Sequence, residues 1–268
     1  MSADTLTARV LCWRLDRRDG VTIGLTGHDR DLWIDGLRYR AAPGLTPSAI
    51  LRGDGLEAEL MEASGALTSA AIAEADLLAG RWDGARVTAI AVDWSGEAAP
   101  VPLGVGEIGG VELGEGGFTA ELRGIATALD RPVAEETSPD CRASLGDRRC
   151  RVAMAGRRPM CRVTAWDGGR ELTLDATEPV DNAYGQGRLI WFGGANAGLE
   201  AIIVRSEGNR VSLSVAPAFA VEGTVLVELV EGCDKRLDTC LSRFGNVANF
   251  RGEPFLPGID LLTRYPGA

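Results

Sequence analysis

Glycine sets the terms for this chain. It holds 35 glycines in 268 residues, nearly twice the usual share of about 7%, and they fall between short runs of alternating apolar and polar residues. A chain punctuated in this way must turn often, which excludes a helical bundle and predicts mainly β structure. Leu6–Leu15, Val21–Leu25, Leu56–Leu60, Arg86–Trp94 and a strand-turn-strand stretch over Val101–Leu122 supply the first set of strands. Asp31–Ile34 and Leu37–Arg40 flank Asp35-Gly36, a strong short hairpin signal. Arg162–Trp166, Arg170–Leu174, Leu199–Arg205, Val211–Val215 and Thr224–Val230 form a second set.

One helix interrupts the strands, over Thr68–Gly80, where Thr68 is placed to cap and Gly80 suits the position just past the end. A short second helix fits Ile125–Leu129. Residues 131–161 then lose all hydrophobic period and carry seven arginines and three cysteines among scattered Pro and Gly. The stretch after Glu231 is irregular again. The expected architecture is mainly β: two small β-barrel-like or β-sandwich-like domains with one short helix and irregular cysteine-bearing segments. The expected boundaries are a β domain at 1–130, a connector at 131–161, a second β domain at 162–232 and a C-terminal arm at 233–268.

Several classes of function are excluded. Lys+Arg 28 against Asp+Glu 38 gives a net charge of −10, opposite to the field of a duplex-DNA binder. His28 is the only histidine, so a multi-histidine metal site is impossible and any Ser-His-Asp or Cys-His catalyst must be built on it. It lies in a turn-like stretch, Thr26–Asp29, and reads as a solvated turn residue. No apolar run approaches the roughly 18 residues of a spanning helix, and Met1–Asp4 opens no secretion signal. The expectation is a soluble protein made in the cytoplasm. The string Gly104-Val105-Gly106-Glu107-Ile108-Gly109 matches a dinucleotide fingerprint, but more glycines follow where the helix should be, so it reads as a hairpin.

The cysteines carry the chemical signal. Cys12 sits in the first strand and reads as a buried apolar residue. Cys141 and Cys150 have eight residues between them, Cys233 and Cys240 have six, and Cys161 is an extra after the first pair. Two thiol pairs on irregular segments, about eighty residues apart, suit a four-thiolate site clamping distant stretches, with zinc or an iron–sulfur cluster at its centre. Arg142, Arg148, Arg149, Arg151, Lys235 and Arg236 would offset the negative charge of either. Spacings longer than those of zinc ribbons lean toward a cluster. Disulfides and unliganded thiols are the plainer readings, the first disfavoured by low cysteine density. Beyond Cys240, Phe244, Phe250 and Phe255 need apolar cover. Asn246 or Asn249 and backbone N–H groups could donate hydrogen bonds toward sulfur.

The run Gly232-Cys233, Cys240, Arg243-Phe244-Gly245-Asn246, Asn249-Phe250-Arg251-Gly252, Pro254-Phe255 and Pro257-Gly258 resembles the C-terminal signature of a phage tail family. Its members are baseplate hub proteins of alphaproteobacterial gene transfer agents and related prophages. Ala71–Gly84 resembles the family's N-terminal signature. The pair spacing is also similar to that of the tail-tip protein L of lambda-like phages, which carries a [4Fe-4S] cluster. That likeness implies Cys141, Cys150, Cys233 and Cys240 as the ligands of a [4Fe-4S] cluster, with zinc as the alternative, and leaves out Cys12 and Cys161.

The resemblance further implies a non-enzymatic structural part of a virion tail baseplate, assembled in the bacterial cytoplasm. It would be a homotrimer between the ring of distal tail proteins and the central tail-tip fibre protein, with a tape-measure protein and a tail peptidase as further neighbours. DNA would touch it only in transit during delivery, through a channel whose acidic lining lets it slide. The other readings are a cluster-dependent redox protein and a zinc-stabilised β module that binds carbohydrate or protein.

Overall fold

The computed structural model describes residues 8–41, 46–47, 60–66, 72–96, 99–114, 117–124 and 135–255. The chain divides into two compact units, Met1–Pro132 and Val133–Ala268. Both are built of β-strands, as the glycine punctuation predicts, and all but one of the strand pairings among the described residues are antiparallel.

The first unit is a nine-stranded sheet. Its strands are β1 (Arg9–Asp16), β2 (Thr22–Thr26), β3 (Leu32–Ile34), β4 (Leu37–Ala41), β5 (Thr46–Pro47), β6 (Leu60–Ala66), β7 (Arg86–Asp93), β8 (Val101–Gly114) and β9 (Gly117–Gly124). They lie in the order β3-β4-β2-β1-β7-β8-β9-β6-β5. Period-2 alternation sends Trp13 and Leu15 of β1 into one core with Leu25, Trp82, Val87 and Ile108, and Cys12 into another with Tyr39 and Val92. Asp35 and Gly36 both take positive φ in the β3–β4 turn, as a tight hairpin of this kind requires.

The helix, α1 (Glu74–Leu78), is shorter than the expected span. Thr68 and the Ile125–Leu129 segment fall outside the described residues, as does most of Leu56–Leu60. Gly80 ends α1 as anticipated: at φ +74 its N–H donates to Leu77 O while Arg81 N–H donates to Asp76 O, the paired bonds of a Schellman cap. The glycines at 104–109 lie inside β8, paired with β7 and β9. His28 is half-buried, not solvated: its ring centroid lies 5.4 Å from that of Trp94 and its Nδ1 accepts from Arg30 N–H.

The second unit holds a closed six-stranded barrel, ordered β10-β11-β14-β13-β12-β15. Its strands are β10 (Met160–Trp166), β11 (Glu171–Leu174), β12 (Arg188–Trp191), β13 (Glu200–Glu207), β14 (Arg210–Leu213) and β15 (Val225–Val230). Alternate residues point inward to one core that includes Val163, Leu172, Leu189, Ile203, Val211 and Leu229. Strand β12 was missing from the expectations, since only four residues separate it from glycine-rich turns.

Closure of the barrel positions everything that follows. The first strand, β10, pairs antiparallel with the last, β15, Met160 facing Glu228 and Val163 facing Val225. The chain entering β10 and the chain leaving β15 therefore emerge side by side at one end. The pairing continues beyond the strands: Leu229 N–H donates to Pro159 O and Glu231 N–H to Arg157 O. The two cysteine-bearing segments, distant in sequence, start out as neighbours.

Candidate metal centre

Segments 135–159 and 231–255 fold on each other at that barrel end. Within them the chain forms one short helix, α2 (Leu237–Ser242), and a 3-10 turn at Val247–Asn249, where the sequence had suggested neither. The segments cross-connect through backbone bonds: Cys141 N–H donates to Lys235 O at 2.9 Å, Arg142 N–H to Arg251 O at 3.0 Å, and Glu253 N–H to Ser138 O at 2.7 Å. Gly252 permits this approach, because a Cβ there would lie 2.6 Å from Asp140 O.

All four sequence-predicted thiols arrive at this junction. Burial pushes the Cys240 thiol up, and the nearby thiols of Cys141, Cys233 and Cys150 push it further. Cys233 is also raised, chiefly by burial; the backbone N–H and the charge of Lys235 pull the other way. None of the cysteines is in a disulfide. Cys161 is elsewhere, pointing into the barrel at 4% exposure, where desolvation raises its thiol to about 11. Cys12 is likewise buried, its thiol donating to Thr26 Oγ1.

Hydrogen-bond donors surround the sulfurs. Arg251 N–H donates to Cys141 Sγ at 3.4 Å. The Asn246 amide donates to Cys150 O at 2.6 Å and faces Cys150 Sγ at 3.7 Å. The basic residues near the sulfurs also bind the chain itself. Arg142 makes a bidentate pair with Glu253 and also reaches Glu135, and Arg149 pairs with Glu135. Lys235 Nζ donates to Ala143 O. Arg142 and Lys235 thus tie the two segments together, whereas Arg149 and Arg151 bond within 135–159. The phenylalanines also differ from expectation: Phe255 is 87% exposed, and the Phe244 ring packs against the guanidinium groups of Arg157 and Arg243, at 5.1 and 4.8 Å.

That contact belongs to an anchor which the sequence did not reveal. The buried carboxylate of Glu231 accepts from Arg157 at 2.6 Å and from Arg243 at 2.7 Å, and Arg243 also donates to Ala183 O at 2.8 Å. It fixes the end of α2, and with it Cys240, to the end of β15. Next to it, a Cβ on Gly232 would overlap Gly185 O and Gly187 N, so only glycine lets the chain pass into Cys233. Among the described residues no group of three or more His, Cys, Asp and Glu side chains closes up as a single-ion site.

Comparisons with known proteins identify the family. Residues 2–153 match a family model described as baseplate hub protein, N-terminal attachment domain. A chain from the virion of a native gene transfer agent (GTA) particle matches with 37% identity and a TM-score of 0.85, over 97% of this chain and 92% of that one. The chain belongs to the baseplate hub protein family. Residues 182–260 of this hub protein also match the model of a phage conserved hypothetical protein, BR0599. Cys141 and Cys150 thus fall in one family segment and Cys233 and Cys240 in the other. No curated protein matches the chain. No helix among the described residues is long and apolar enough to cross a membrane.

Proposed function

We propose that this baseplate component is one protomer of a trimer that joins the distal tail ring to the central tail-tip fibre protein around the DNA channel. We further propose that Cys141, Cys150, Cys233 and Cys240 hold a structural [4Fe-4S] cluster. The role is mechanical: the net charge of −10 disfavours adhesion of passing DNA, and the cysteine site fastens the segments flanking the barrel.

One observation carries the cluster. Four thiols converge in two segments that have almost no core of their own: Ala143 is the only buried residue in 135–159, and Cys240 the only one in 233–255. Segments of this length without apolar burial cannot offset the entropy of ordering, so a group binding four thiolates at once would supply folding energy directly. When bound, it would cross-link both segments; Arg251 N–H and the Asn246 amide would face the sulfurs, and the Glu231 anchor would hold α2 in register.

Anaerobic purification tests this. Brown protein with absorption near 400 nm and equal iron and acid-labile sulfide is expected; colourless protein with stoichiometric zinc would select the zinc reading, and metal-free protein with a protease-resistant arm would refute both. Cys233→Ser should lose the iron and expose residues beyond about 231 to protease while the first unit stays folded. Sedimentation should give three copies per particle, and a monomer at every concentration would refute the trimer.

A further inference from the structure

Asn246 sits between the two halves of the cysteine site. Its backbone N–H donates to Cys240 O at 3.0 Å, while its side-chain amide donates to Cys150 O at 2.6 Å and faces Cys150 Sγ at 3.7 Å. A primary amide is nearly symmetric in shape, so packing alone does not decide which end faces sulfur. Here the decision comes from Asn249, whose Nδ2–H donates to Asn246 Oδ1 at 2.7 Å. With its oxygen engaged by that donor, Asn246 presents only N–H groups toward Cys150. The 3-10 turn at Val247–Asn249 sets the spacing, since Asn249 N–H also donates back to Asn246 O at 3.0 Å.

We propose that Asn249 is a positioning residue that acts through Asn246 to aim an N–H donor at Cys150 Sγ, and that this relay raises the reduction potential of the group the thiolates hold and slows its loss. The second half rests on the cluster reading of the site. A donor aimed at a thiolate stabilises the more negative, reduced state more than the oxidised one. An oxygen turned to the same sulfur would do the reverse.

Three variants separate this relay from simple packing. Asn249→Ala removes the donor, and Asn249→Asp keeps the shape but offers only acceptors. Asp at 249 would draw the Asn246 NH2 toward itself and turn Oδ1 onto Cys150. The relay therefore ranks Asp below Ala, whereas a packing role ranks the near-isosteric Asp above Ala. Asn246→Asp should resemble Asn249→Asp.

The expected fall for Asn249→Asp is about tenfold in the one-electron reduction equilibrium, 59 mV for such a couple, with faster release of iron to a chelator. Hydrogen exchange of the Asn246 side-chain amide by NMR gives a readout independent of any bound group: protected in the wild-type chain, fast in Asn249→Ala. Fast exchange in the wild type, or Asp at 249 giving a potential at or above that of Ala, overturns the relay. Wild-type protein that takes up no iron overturns the cluster reading and the effect on potential, and the amide exchange then decides the orienting role by itself.

Discussion

Removal of the Glu231 carboxylate is the sharpest test of how the cysteine segments are attached to the barrel. Its side chain is 5% exposed and its partners Arg157 and Arg243 are 29% and 17% exposed, so the group is an interior charge cluster and not a surface pair. Glu231→Ala would leave two guanidinium groups facing an empty site, and Arg243, whose Nε already lacks a partner, has little freedom to turn to water. Loss of one member of a buried ion pair costs about 3–5 kcal/mol. For a unit of this size each kcal/mol lowers Tm by roughly 3 °C, so the barrel transition should fall by about 10–15 °C. Glu231→Gln keeps an acceptor oxygen but no charge and should cost about 2 kcal/mol. Calorimetry on the full chain, with the variants at matched metal content, reads both values. If Ala and Gln behave alike, or if both lie within about 0.5 kcal/mol of wild type, the carboxylate is not the anchor described above.

Three further outcomes follow from the same geometry. The Glu253 carboxyl is held down to about 2 by its hydrogen bonds to Arg142 and then by Ser138 N–H, against an ordinary value of 4.5; its depressed value means that its contribution is complete above about 4.5 and is lost as pH falls toward 2. Protease sensitivity of residues 231–255 should rise over that window, and Glu253→Gln should remove the dependence. Cys161→Ser buries a hydroxyl in the barrel core and should cost about 1–3 kcal/mol, while metal content stays at the wild-type level; loss of iron would move Cys161 into the site. Gly232→Ala forces a Cβ into the backbone at 185–187 and should cost about 3 kcal/mol, with metal content falling as Cys233 is displaced.

Most strands were legible because they are short period-2 runs set off by turn residues, though β5 and most of β6 were not anticipated; the Asp35-Gly36 turn and the Gly80 cap were legible because each demands a positive φ. β12 was not legible: four residues, Arg188–Trp191, show too little alternation to stand out from the glycines around them. α2 was missed for a different reason. Its six residues bury only Cys240, so it has no apolar stripe, and the tertiary bonds of Arg243 and Asn246 hold it in place of a hydrophobic face. The two groups of cysteines stood out by their spacing, but the Glu231 anchor did not, since its members at 157, 231 and 243 form no local pattern.

The topology explains why the two thiol pairs need no long-range signal to meet. In this barrel, ordered β10-β11-β14-β13-β12-β15, the first and last strands pair with each other, and their antiparallel pairing brings the entering and leaving chains out at one end. Any side chains placed a short way outside β10 and β15 are thus held at high effective concentration before a single bond forms between the segments. The loop closed by the thiols is then only the local one, and the entropy of bringing residues 150 and 233 together has already been offset by the barrel core. What the barrel cannot supply is order beyond its rim, where apolar burial stops at Ala143 and Cys240. Polar anchors take over there: Glu231 at the rim, and Glu253 with Arg142 farther out. Each is directional, so each fixes position as well as contributing stability.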